Sequence, residues 1–113
     1  MALTNFRAYQ IAIRFYHLCA ALKCPRHLRD QLDRASSSIP LNLGEGSAKT
    51  SERDRLRFYF IAFGSLRECQ TILALLGKDQ STEVGKMADE LGAQLFTLCK
   101  SIERKLSIQK PNA

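Results

Sequence analysis

Apolar residues recur along this chain at spacings of three and four in four successive stretches, the repeat of an α-helix that buries one face. The first stretch, about residues 5–22, places Phe6, Tyr9, Ile13, Tyr16 and Ala20 on one line and Ile11, Phe15, Leu18 and Leu22 on a second. Only a narrow polar strip remains between them, made of Arg7, Gln10, Arg14 and His17. Two apolar lines on one helix imply more than one packing partner. The second stretch opens after Cys24 with Pro25 at a position suited to the first helical turn, and Leu28, Leu32, Ala35, Ile39 and Leu43 define its face. Asp30 precedes Arg34 by four residues and Arg29 precedes Asp33 by four, spacings that pair charges along a helix. Pro40 lacks a backbone donor, so a kink is expected there, with the hydroxyls of Ser36, Ser37 and Ser38 available to the carbonyl it frees. Gly44 and Gly46 are the expected stop.

Ser51 followed by Asp54 has the spacing of a capping box and opens the third stretch, which runs to about Leu76 before Gly77. It is the most apolar of the four. Leu56, Tyr59, Phe63, Leu66 and Leu73 form one line, and Phe58, Ile61, Ser65, Cys69, Ile72 and Leu76 form another. The fourth stretch, about residues 82–106, carries a single line of Val84, Met87, Leu91, Leu95, Leu98, Ile102 and Leu106. Four helices joined by short connections predict an all-α fold, an antiparallel up-and-down four-helix bundle, occupying residues 1–113 as one domain with a frayed tail from about residue 107. One bundle core needs a single apolar line per helix, so the surplus lines on the first and third helices predict a homo-oligomer.

Composition supports this class: 45% hydrophobic and 25% charged residues, with six glycines and three prolines, suit one modest globular core and exclude collagen-like or disordered chains. No stretch approaches the roughly 18 consecutive apolar residues of a membrane span, and the start of the chain has no basic flank followed by an apolar run, so a cytoplasmic protein with no membrane partner is expected. Cys19, Cys24, Cys69 and Cys99 form no CxxC pair, and three of them fall in apolar helical patterns, where a thiol behaves as a small hydrophobe.

Candidate chemistry is sparse. His17, Cys19, Cys24 and His27 have the atom types of a zinc site, but residues two apart on a helix diverge by about 200°, so His17 and Cys19 do not converge on one ion. No base is placed to activate a Ser or Cys nucleophile, and the Gly44-Glu45-Gly46 turn lacks the spacing and the Lys-Ser/Thr pair of a phosphate loop. No catalytic residue, metal ligand or cofactor is therefore expected, and the chain is not expected to be an enzyme. The net charge of +6 carries more information. Residues 1–67 hold eleven Lys/Arg against five Asp/Glu, whereas residues 68–113 hold six of each, so the excess lies in the first three-fifths. Arg7 and Arg14 on the first helix, with Lys49, Arg53, Arg55 and Arg57 around the start of the third, are the candidate nucleic-acid contacts. Arginine outnumbers lysine ten to seven, which suits bidentate phosphate binding.

The run Ser37-Ser-Ile-Pro-Leu-Asn-Leu-Gly-Glu-Gly46, then Ser51-Glu-Arg-Asp-Arg-Leu-Arg-Phe-Tyr-Phe-Ile-Ala and Gly64-Ser-Leu-Arg-Glu68, resembles the four-helix bundle proteins encoded in intervening sequences of bacterial large-subunit ribosomal RNA genes. It is also similar to the accessory variability determinant proteins of diversity-generating retroelements. The resemblance implies a homopentameric barrel with a basic surface and, for the retroelement relatives, binding to a reverse transcriptase. Asn42, Glu45, Gly64 and Glu68 belong to the shared motif and are expected to be structural: the polar pair satisfies backbone groups near the kink, and Gly64-Ser65 permits close helix approach. The expected function is that of a non-catalytic, homo-oligomeric basic bundle binding RNA or DNA through its positive surface. The alternative is an adaptor that docks a reverse transcriptase.

Overall fold

The computed structural model of the chain describes residues 2, 3 and 6–109, in which four helices follow one another: α1 (Arg7–Ala20), α2 (Arg26–Ser47), α3 (Glu52–Leu75) and α4 (Glu83–Gln109). No strand occurs among the described residues. Each helix packs on the next and α4 closes on α1, which leaves α1 and α3 diagonal across the bundle. The ring of Phe6, just before α1, lies 6.0 Å from that of Tyr59 near the start of α3. Both line one pocket with Ile102 near the end of α4. The starts of α1 and α3 and the end of α4 therefore share one end of the bundle, as the antiparallel up-and-down expectation requires. Residue 5 and residues 110–113, within the expected first helix and frayed tail, lie outside the described residues. Residues 107–109 still belong to α4, so that helix extends beyond the point where its apolar line stops.

The core ranks the two apolar lines that periodicity left equal. In α1 the line through Ile11 and Phe15 is buried, continuing to Cys19, while Tyr9, Ile13 and Tyr16 are half-buried flanks and Ala20 is exposed. Leu32, Ile39 and Leu43 from α2, Leu66 and Cys69 from α3, and Leu91 and Leu95 from α4 are fully buried against them. Burial pushes the Cys19 thiol up from 9.0 to about 12, the Arg29 charge opposing this, and desolvation raises Cys99 to about 11 and Cys69 further still.

Helix α2 passes through Pro40 and ends at Ser47, one residue after the expected stop at Gly44 and Gly46. The serine hydroxyls before the proline bond elsewhere than expected: Ser36 Oγ donates to the Asp33 carbonyl at 3.4 Å and Ser37 Oγ to the Arg34 carbonyl at 3.1 Å. Gly46 serves packing rather than termination. A Cβ there would lie 2.7 Å from Tyr59 Cε1 and 3.1 Å from Phe58 Cβ, so only glycine lets α2 and α3 approach this closely.

The connections are tied by side chains. Arg29 in the first turn of α2 donates Nη1 to the Leu22 carbonyl at 2.9 Å and Nη2 to the Cys19 carbonyl at 3.0 Å, while Nε donates to Asp33 at 3.1 Å. One guanidinium thus caps the end of α1 and pairs along α2. Ser51 Oγ accepts from the Asp54 amide at 3.0 Å, as its spacing predicts. At the other end of α3, Gly77 has φ +72°, and the Lys78 and Gly77 amides donate to the Leu73 and Ala74 carbonyls, a Schellman closure.

Candidate nucleic-acid interface

The antiparallel pairing of α3 with α4 decides where the positive charge collects. The start of α3 carries Lys49, Arg53, Arg55 and Arg57 close by, and the end of α4 carries Lys100, Arg104 and Lys105; Arg55 and Lys105 line the same pocket. Seven cations at this end face four acids, Glu45, Glu52, Asp54 and Glu103. Lys100, Arg104 and Lys105 are not singled out by the sequence, because residues 68–113 sum to zero. Their signal lies in the order of charges along α4: Glu83, Asp89 and Glu90 near its start, cations near its end.

The six candidate residues have different surroundings. Arg53 is exposed and makes no hydrogen bond or ion pair among the described residues. Arg57, also exposed, holds its guanidinium 4.7 Å from the Phe58 ring centroid, with Lys49 Nζ at 5.2 Å from the same ring. From this cation–π seat Arg57 makes no side-chain hydrogen bond or ion pair among the described residues. Lys49 is half-buried and 3.9 Å from Glu45. Arg55 is committed to the fold: Nη1 donates to Glu52 Oε1 at 2.7 Å and Nη2 to the Lys49 carbonyl at 2.7 Å, bracing the entry to α3. Arg7 pairs with Glu90 at 2.9 Å, linking α1 to α4. Arg14, two turns further on, is exposed and unpaired among the described residues. Although α1 is diagonal to α3 it packs on α4, so Arg7 starts its helix at this same end of the bundle, with Arg14 two turns further along α1.

Of the motif residues only Asn42 bonds the backbone as expected: Glu45 is exposed and reaches only Lys49, at 3.9 Å, and Glu68 is exposed with no side-chain hydrogen bond or ion pair among the described residues. Asn42 Nδ2 donates to the Ser38 carbonyl at 2.8 Å and to Ser38 Oγ at 3.0 Å, and Ser65 Oγ donates to Ser38 Oγ at 2.8 Å, joining α2 to α3. Gly64 does not mediate close approach within the chain, since a Cβ there would meet nothing within 4 Å. It opens instead on an outer groove of about 510 Å³ between α3 and α4, lined by Phe60, Phe63, Phe96 and Cys99, with Lys100 and Glu103 at its polar side. Phe60, Ile61 and Phe96 are 49%, 44% and 54% exposed; of these only Ile61 stands on a predicted apolar line of α3, a line whose Cys69 and Ile72 are in the core, while Phe60 and Phe96 stand on none.

His17 is exposed and meets Tyr16 edge-on, whereas Cys19 is sealed in the core, so the two point to different environments. No described helix is long and apolar enough to cross a membrane. A search of curated proteins finds no match to the chain. The family model of the 23S rRNA-intervening sequence protein matches residues 5–107, almost the whole chain and all four helices. The chain belongs to the 23S rRNA-intervening sequence protein family.

Proposed function

We propose that this protein is a non-catalytic, homo-oligomeric nucleic-acid-binding bundle of the cytoplasm that grips phosphates with the end formed by the start of α3 and the end of α4. The observation that carries this reading is the convergence of two cationic segments: Arg53 and Arg57 on α3 with Arg104 and Lys105 on α4, all exposed. Arginine donors of this kind contact phosphate without reading sequence, so binding is expected to be broad and salt-dependent. Arg55 supports the surface from beneath. Arg7 and Arg14 on α1 supply further positive charge.

The assembly part of the proposal draws on the groove around Phe60 and Phe96, whose aromatic exposure suits a contact between copies, and on the five-membered ring implied by the sequence resemblance. Fluorescence anisotropy with labelled RNA and DNA across salt concentrations tests the binding. Replacing Arg53, Arg57 and Lys105 by Gln is expected to lower the magnitude of the salt slope by about 3, near one for each phosphate no longer neutralised. An unchanged slope refutes the surface. Light scattering that returned a single 12.7 kDa chain at micromolar concentration would refute the assembly. The groove would then be free for a partner protein, the arrangement an adaptor for a reverse transcriptase needs.

A further inference from the structure

Two half-covered apolar patches stand on adjacent outer faces of the bundle, at the same height. On the α2/α3 face Ser65 Oγ bonds Ser38 Oγ at 2.8 Å, and a Cβ on Gly46 would meet Phe58 and Tyr59. Helix α2 thus runs back along α3, with residue 38 level with residue 65 and residue 46 level with residue 58. Leu41, 67% exposed, and Ile61 therefore stand side by side, one turn from the serine pair. On the α3/α4 face lies the groove over Gly64, walled by Phe60, Phe63 and Phe96. Past Phe63 and Phe96 it continues into a second hollow of about 390 Å³ that reaches Arg67 and Asp89. Both faces also carry charges. Glu45 lies one turn after Leu41 on α2 and Arg34 two turns before it, while Glu68 lies two turns after Ile61 on α3. Arg34, Glu68 and Asp89 are exposed and make no side-chain hydrogen bond or ion pair among the described residues, and Glu45 comes no closer than 3.9 Å to Lys49.

We propose that these two faces mate between copies of the chain, Leu41 and Ile61 of one copy seating in the groove over Gly64 of the next. The proposal rests on the assembly part of the reading above and names the surfaces that meet. Gly64 suits the floor of the contact, since it leaves space that no atom of its own chain fills. Because the patches lie at one height, a copy turned about a line parallel to the bundle axis meets its neighbour with no rise, α3 against α3 and α2 against α4. Three pairs of opposite charge then fall in register: Glu68 with Arg67 of the next copy, Glu45 with its Lys100, and Arg34 with its Asp89. On a chain of net charge +6, matched charges of this kind let two copies approach where most of their surfaces repel. A two-fold contact of groove on groove would leave Leu41 and Ile61 in water, whereas the head-to-tail contact covers both patches at once. Adjacent faces of a four-helix bundle stand at roughly a right angle, the wedge of a small ring that closes rather than of a fibre that grows.

Mixing two variants of the full chain tests the contact. Leu41→Arg removes the insert and Gly64→Arg fills the groove, both at positions where the fold has room. Each alone is expected to sediment as a single chain. Mixed in equal amounts at submillimolar concentration, they are expected to form pairs of twice the chain mass and nothing larger, because one sound insert and one sound groove remain. Charge exchange gives a second measurement. Arg67→Glu and Glu68→Arg are each expected to weaken assembly by about tenfold, and the two together in one chain to restore it. Successive residues of a helix do not face each other, so that rescue comes from a contact between copies. An unaltered protein that sediments as a single chain overturns both this contact and the assembly reading. Assembly that survives Leu41→Arg, a mixture that stays as single chains, or charge variants without rescue overturns the contact and leaves the assembly reading standing.

Discussion

Replacing Arg29 by Met keeps the aliphatic stem and removes every polar bond the guanidinium makes. Two of these go to carbonyls at the end of α1 and one set goes to Asp33, with the Arg29 side chain 25% exposed and that of Asp33 46%. A hydrogen bond from a charged donor contributes about 1.5–3 kcal/mol when sheltered. The carbonyls lie at a helix end that water reaches once the arginine is gone, so about 1 kcal/mol each is the appropriate value. The half-exposed ion pair adds about 0.5 kcal/mol. The expected loss is therefore about 2–3 kcal/mol, or about 10 °C in melting temperature for a domain of this size. Urea unfolding followed by circular dichroism at fixed protein concentration measures it, and the midpoint should fall with little change in slope. Arg29→Lys should recover less than half, because one ammonium cannot span Leu22, Cys19 and Asp33 together. A loss below about 0.5 kcal/mol for Met would refute the claim that this residue fastens α1 to α2.

Two of the helical glycines, Gly46 and Gly64, give opposite expectations. Gly46→Ala drives a Cβ into Tyr59 and Phe58 and should destabilise by about 1–3 kcal/mol, whereas Gly64→Ala meets open space and should stabilise the isolated fold by about 1 kcal/mol through helix propensity. Urea midpoints that shift in the same direction for both variants would refute the packing. The thiols predict a pH dependence. Cys19 and Cys99 are held above 9.0, at about 12 and about 11, so between these limits the unfolded chain has released protons that the native state keeps. Stability should be level below pH 9 and fall above it, by up to about 1.4 kcal/mol per pH unit for each thiol, and a flat profile from pH 8 to 10.5 would refute the burial. Cys24, half-buried, should react with a thiol reagent in the native protein while Cys19 and Cys69 wait for unfolding; labelling of all four at one rate would show that the core is open.

The helices with a single apolar line are the easiest to read from sequence. Leu32, Ile39 and Leu43 of α2 and Leu91 and Leu95 of α4 fall where period and burial agree. In α1 two lines are equally periodic, and only the positions of its neighbours make Ile11 and Phe15 core and Ile13 flank. Gly46 reads as a stop because glycine usually ends a helix, yet its missing side chain is used sideways, against Tyr59. The basic end is half legible. Arg53 and Arg57 stand in one run of sequence, while Lys105 joins them only because α4 returns antiparallel, a placement that a regional charge sum hides. Arg55 cannot be told from its neighbours in that run, since its partner carbonyl on Lys49 belongs to the turn of the chain and not to its composition.

Gathering cations at one end of a body 51 Å long makes the protein an electric dipole as well as a basic molecule. A polyanion's field exerts a torque on such a body, turning the charged end forward during approach and raising the share of encounters that succeed. At physiological salt the field fades over about 8 Å, less than the length of the molecule, so the turning happens only in the last moments before contact. Added salt should therefore slow association as well as hasten release, because more encounters present the neutral end and separate unused.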